Sequence, residues 1–107
     1  MNINDLYGVS SSNLDEANEL VGKILRLSLE PHDSYFLGLY WYLECPDGAR
    51  VTLQHNIDAI DGEVLMPEYQ DWPFLLYINS HPDADELKET LSTADARIQH
   101  LRRTMYP

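Results

Sequence analysis

The apolar residues of this 107-residue chain change their spacing as the chain proceeds, and that change constrains the fold more than any other feature. Between residues 13 and 25 they fall at Leu14, Ala17, Leu20, Val21, Ile24 and Leu25, which is one face of a helical repeat. Ser10-Ser11-Ser12-Asn13 supplies a start, because Ser12 with Asp15, or Asn13 with Glu16, fits a capping box. Asp15, Glu16 and Glu19 stand early and Lys23 and Arg26 late, the order a helix dipole favours. These signals predict a helix over 13–25. The repeat then drops to two: Leu25, Leu27 and Leu29 alternate with Arg26, Ser28 and Glu30 until Pro31 interrupts.

Tyr35 to Glu44 is rich in aromatics and reads as a strand, with Gly38 marking a bulge or a close backbone approach. Pro46-Asp47-Gly48 is a turn signal, and Val51 and Leu53 alternate with Thr52 and Gln54 after it. Residues 35–55 are therefore expected as an antiparallel hairpin. Asp61-Gly62 signals a second turn, with Glu63 to Met66 a short strand that Pro67 ends. Pro67 and Pro73 bracket residues 68–72 as an irregular loop or a single helical turn. Phe74 to Asn79 is a nearly continuous apolar run, as a buried strand requires. Leu87, Leu91, Ala94, Ile98, Leu101 and Met105 then recur at alternating spacings of 4 and 3, predicting a long amphipathic helix over 83–104. The expected fold is a single α+β domain over 1–107. It has an antiparallel sheet of about four to five strands, with an N-terminal helix and a long C-terminal helix packed on one face.

Alternation places Phe36, Tyr40 and Tyr42 on one side of their strand and Tyr35, Leu37, Leu39, Trp41 and Leu43 on the other. Both sides are apolar. With the helices on one sheet face, the other must meet a loop, a second copy or a partner.

Charge narrows the function. The formal charge is −11, and all of it comes from Leu27 to Leu87, where twelve acids face one base, Arg50. The flanking segments cancel. Such a field repels a polyanion, so phosphate-mediated nucleic-acid binding is not expected, and a cationic partner is favoured. No apolar run approaches a membrane span, and Met1-Asn-Ile-Asn-Asp5 lacks the basic and apolar stretches of a signal peptide. A single cysteine excludes an internal disulfide. A cytoplasmic protein without membrane association is the expectation.

Signals for catalysis are weak. His32-Asp33-Ser34 contains a nucleophile, a base and a carboxylate, but adjacent positions do not converge as a triad must, and a turn explains them better. His32, His55, His81 and His100 lie on different expected elements without metal-ligand spacing. Asp58, Asp61 and Glu63 lack the alternating oxygens of a calcium loop. Cys45 has acidic neighbours, which disfavour its thiolate. No glycine-rich phosphate loop occurs. Neither a catalytic residue, a metal nor a cofactor is expected. Tyr69 and Trp72, set among Glu68 and Asp71 in an irregular segment, suit an interface for a basic partner.

Asp5-Leu6-Tyr7-Gly8, the helix with Leu14 and Ala17, His32-Asp33-Ser34-Tyr35 and Gly38-Leu39-Tyr40 resemble segments of small bacterial immunity proteins. So do Asn56, Pro73 with Leu75-Leu76-Tyr77-Ile78, and Leu101-Arg102-Arg103. Immunity proteins of this kind are encoded beside polymorphic and contact-dependent growth inhibition toxins. The resemblance implies a non-enzymatic inhibitor, monomeric or homodimeric, that binds a cognate toxin, often a nuclease with a basic cleft. It transfers no binding residues. On charge and composition the expected toxin contacts are Asp58, Asp61, Glu63, Glu68 and Asp71, with Tyr69 and Trp72 as buried anchors. The competing readings are another acidic binder, such as a secretion chaperone or a DNA mimic, and a small hydrolase centred on His32, Asp33 and His55.

Overall fold

The computed structural model describes residues 2–107. The chain begins with a strand, β1 (Asn2–Val9), followed by helix α1 (Leu14–Leu25), strands β2 (Glu30–Ser34), β3 (Gly38–Glu44) and β4 (Arg50–His55), and a 3-10 turn at Pro67–Tyr69. Strand β5 (Phe74–Asn79), helix α2 (Ala84–Ala94) and strand β6 (Ile98–Tyr106) complete it. The strands form one six-stranded sheet in the order β2-β3-β4-β5-β1-β6, every neighbouring pair antiparallel. This is a small α+β domain with two helices, and its first strand lies inside the sheet.

Helix α1 forms where expected. Asn13 caps it, its side-chain oxygen accepting the Glu16 N–H at 2.8 Å, which satisfies one of the donors a helix start leaves open. Arg26 ends it in the left-handed region at φ 56°, its N–H donating to the Gly22 carbonyl. The hairpin of β3 and β4 also forms, with Trp41 opposite Leu53 and Leu43 opposite Val51.

One face of the sheet carries the core. Tyr7 and Val9, Val51 and Leu53, Phe74, Leu76 and Ile78, and Ile98 point to it from four strands. They pack against Leu14, Ala17 and Val21 of α1 and Leu91 of α2, so both helices sit on that face.

Four expectations need correction. The sheet has six strands rather than four or five, because residues 2–9 and 98–106 both pair. The C-terminal helix stops at Ala94 instead of running to 104. Asp95 breaks it: its carboxylate accepts the Arg97 N–H at 2.9 Å and the Arg97 guanidinium, turning the chain into β6. The alternation at 25–29 belongs to the helix end and a connection, and the strand that follows runs through Pro31. A proline fits there because β2 is an edge strand with one side unpaired. Residues 63–66 form no strand, only a single bridge between Ile57 and Val64.

No helix among the described residues is long and apolar enough to cross a membrane.

Candidate functional site

The loop joining β4 to β5, residues 56–73, carries all seven residues expected to contact a partner, and it does two jobs. Its second half closes the sheet's other face. Trp72 lies flat over Gly8, where an added Cβ would stand 2.3 Å from Trp72 Cδ2. Beneath this cover Leu6, Leu75 and Gln54 are buried. The hydroxyl of Tyr69 lies 3.5 Å from the Leu101 carbonyl. Both aromatics are half-buried and packed back onto the sheet, so they anchor the loop from within.

Asn56 holds this arrangement. It is 2% exposed, and its carboxamide nitrogen donates to the carbonyls of Tyr69 and Trp72 at 3.1 Å each. Its side-chain oxygen accepts the Met66 N–H at 3.0 Å, and its main chain bonds to Pro73 and Leu65. A buried carboxamide satisfied on every side replaces the ladder that this irregular backbone lacks.

The first half of the loop is a tight turn that faces outward. Asp58 accepts the Gly62 N–H through its carbonyl and the Ile60 N–H through its carboxylate, while its own N–H donates to the Glu63 carbonyl. Asp61 accepts the Glu63 N–H at 2.9 Å. The turn is tied to the β2–β3 connection by the Ala59 N–H, which donates to the Phe36 carbonyl at 2.8 Å. Gly38, at φ 66°, lets the chain pass close to Ala59 there.

The two turns and the start of β3 expose apolar side chains. Tyr35 is 78% exposed, Phe36 60% and Ile60 52%, with Leu39, Ile57 and Val64 also exposed. Tyr35 and Phe36 meet edge to face, centroids 5.4 Å apart. Asp33, near the end of β2, and Asp61 and Glu63, in the turn after Ile60, are exposed, and Asp58 is partly so. Arg50, the lone base of residues 27–87, sits at the far end of β4. Glu68 and Asp71 are exposed on the second half of the loop. Residues 35–37, expected as the start of the strand, form the β2–β3 turn instead, and β3 begins at Gly38.

The residues weighed for chemistry are dispersed. His32-Asp33-Ser34, expected as a turn, closes strand β2 instead, with His32 opposite Tyr40 and stacked on it; only the Ser34 side chain serves the turn that follows, accepting the backbone N–H groups of Phe36 and Leu37. Burial first, and the charge of Asp47 second, push the Cys45 thiol pKa up. Among the described residues no three His, Cys, Asp or Glu side chains converge as a metal site would require. No protein-family model matches this chain, and no curated protein matches it.

Proposed function

We propose that this protein is a non-enzymatic inhibitor of the immunity type, which neutralises a cationic, nuclease-type toxin in the cytoplasm by docking its acid-rimmed apolar end onto it. The observation that carries the reading is the exposure of Tyr35, Phe36 and Ile60 on two turns joined by the Ala59–Phe36 hydrogen bond, with Asp58, Asp61 and Glu63 on one of those turns and Asp33 near the end of β2. Contiguous exposed apolar side chains mark interaction surfaces, and aromatics inside a charged rim are the composition of a protein-binding hot spot. The sign of the rim selects a basic partner and excludes another acidic one. In this proposal Asp58, Asp61 and Glu63 keep the contact role expected of them. Glu68 and Asp71 extend the field, and Tyr35 and Phe36 take the anchoring role first given to Tyr69 and Trp72.

The test begins with the tagged protein purified from its native strain and identification of the chain that accompanies it. That chain is then produced alone and assayed for growth arrest with and without this protein. Support requires a basic protein bound one to one whose toxicity is lifted. It also requires Phe36→Ala to weaken binding by about 2 kcal/mol, roughly thirtyfold in Kd. A captured chain that stays toxic in the complex, or undiminished affinity in both Tyr35→Ala and Phe36→Ala, overturns the proposal. So does recovery of a secreted effector carried on a homodimer, which is the behaviour of a chaperone.

A further inference from the structure

The sheet has two open edges, and the sequence treats them differently. β2, at one edge, is five residues long, holds Pro31 and exposes the acids Glu30 and Asp33. Short length, proline and outward charge are the devices that keep an edge strand from pairing with another chain. β6, at the other edge, is nine residues long and has neither a proline nor an acid between Ile98 and Tyr106. Its one irregularity is a bulge at Leu101, since Leu6 stands opposite Arg102 and Tyr7 opposite His100. Beyond the bulge, residues 102–106 run regularly along β1 and, among the described residues, make no other backbone hydrogen bond. Their outer N–H and C=O groups form a bare ladder. Met105 and Tyr106, at its end, are 58% and 50% exposed.

Register and charge point to the strand that completes this ladder. Residues opposite one another in an antiparallel pair share a sheet face, so a two-fold axis relating two β6 strands passes through a residue. An axis at Arg102 or Arg103 sets like charges directly opposite, which destabilises a pair. An axis at Met105 joins only residues 104–106. An axis at Thr104 joins all of 102–106, with Arg102 opposite the partner's Tyr106, Arg103 opposite the partner's Met105, and the two Thr104 residues opposite each other. Arg102, Thr104 and Tyr106 border the same cleft on one face, so the guanidinium can lie over the partner's Tyr106 ring as a cation–π pair. On the other face Arg103, bound by Asp5 and Asp85, offers its apolar stem to the partner's Met105. Charge favours a copy of β6 over a foreign strand. A basic strand would meet Arg102, and an acidic one would be repelled by the −11 of the chain, whereas residues 102–106 contain no acid and Arg103 is neutralised within its own fold.

We infer that β6 is a self-association edge, on which two copies of this chain pair antiparallel over residues 102–106 about a two-fold axis at Thr104. Two six-stranded sheets become one continuous sheet. Main-chain hydrogen bonds supply the affinity, and covering Met105 and Tyr106 supplies the apolar part. So short a pairing makes a small interface, and the dimer is weak, with a Kd of about 10–100 μM. The β2–β3 turn that carries Tyr35 and Phe36 belongs to the opposite edge of the sheet, so the dimer leaves both apolar ends free. The inference holds whether or not those ends bind a toxin.

The experiment is sedimentation equilibrium of the full chain over a concentration series, with variants that test the register. Wild type is expected to pass reversibly from monomer to dimer. Added salt should strengthen the association, because it screens the repulsion between two chains of charge −11. Tyr106→Lys sets a cation opposite the partner's Arg102, twice in each dimer, and should weaken pairing by about tenfold or more. Adding Arg102→Glu to that variant should restore it, since the opposed charges then differ in sign. Thr104→Cys, in a chain that also carries Cys45→Ser, places two thiols directly opposite with Cα atoms about 4.5–5.5 Å apart, within the span of a disulfide. Mild oxidation should link this variant, whereas Tyr106→Cys in the same background should stay unlinked. A chain that is monomeric at every concentration overturns the inference and leaves the edge to a strand of another protein. A dimer indifferent to Tyr106→Lys, or one that Thr104→Cys does not link, also overturns it, because the contact then lies elsewhere.

Discussion

The most consequential single residue in the sheet is Asp5, a carboxylate on the core-facing side of β1 and only 2% exposed. Burial pushes its pKa up, but hydrogen bonds from Arg103 and His100, and then their charges, outweigh that and hold it below the ordinary carboxylate value. Arg103 donates to it at 2.9 and 3.1 Å, His100 Nε2 lies at 2.8 Å, and Arg103 also pairs with Asp85 of α2. A depressed folded pKa contributes stability above the unfolded value of about 3.9, and that contribution is lost as pH falls through the folded value. Asp5→Asn is therefore expected to be less stable than wild type by about 2 kcal/mol or more at pH 7, since Arg103 would lose its buried counter-charge. The gap should narrow below about pH 4, read by urea unfolding across a pH series. Beside it, Tyr7 is 1% exposed, meets His100 edge to face at 5.1 Å, and has a hydroxyl with no partner. Burial and then the charge of Asp5 push that hydroxyl's pKa up. Tyr7→Phe keeps the ring and removes the orphaned group, so it should be neutral or stabilising by up to about 1 kcal/mol in the same assay.

At the scale of elements, the loop over the second face covers Leu6, Gln54 and Leu75 there and should fail as a unit. Asn56→Ala strips partners from three backbone groups, and a loss of about 2–3 kcal/mol is expected, with faster amide exchange across 65–73. Gly8→Ala attacks the same loop from below, because its Cβ would displace Trp72 and expose Leu75, at about 1–3 kcal/mol. Equal protection of the loop in either variant would contradict this account. Elements that pack by their own pattern were legible in the sequence: α1 by its stripe and Asn13 cap, β3–β4 by alternation and Pro46-Asp47-Gly48, β5 by its apolar run. Those set by pairing partners were not. Asn2, Asn4, Asp5 and Gly8 make β1 a poor strand by propensity, and it becomes one because β5 and β6 flank it. In β6 the helical spacing of Ile98, Leu101 and Met105 is accidental, since a register shift between Leu6 and Tyr7 reverses the facing of the strand midway. The acids of the candidate surface were readable from the charge map. Its apolar centre was not, because exposure of Tyr35 and Phe36 depends on where β3 begins.

Across the whole molecule, charge and apolar surface are divided in a way that predicts separable kinetics. The seven bases lie outside the stretch that forms the apolar end, except Arg50, and Arg97 and Arg103 are engaged within the fold. The field a partner meets on approach is therefore set by carboxylates at 33 and 58–71. Fields of this kind accelerate encounter over about a Debye length, roughly 8–10 Å at ordinary ionic strength, but add little once the interface is dry. Desolvated aromatics act at the other end of the process, by slowing departure. For a cationic partner, Asp61→Asn with Glu63→Gln should lower the association rate by about threefold to tenfold and flatten its dependence on salt, with dissociation nearly unchanged. Phe36→Ala should do the reverse, raising dissociation by tenfold or more at an unaltered salt slope. Surface plasmon resonance over a range of salt concentrations separates the two. If the carboxamide-carboxylate exchange slowed departure instead, the acids would be buried contacts and the docking surface would have to be redrawn around them.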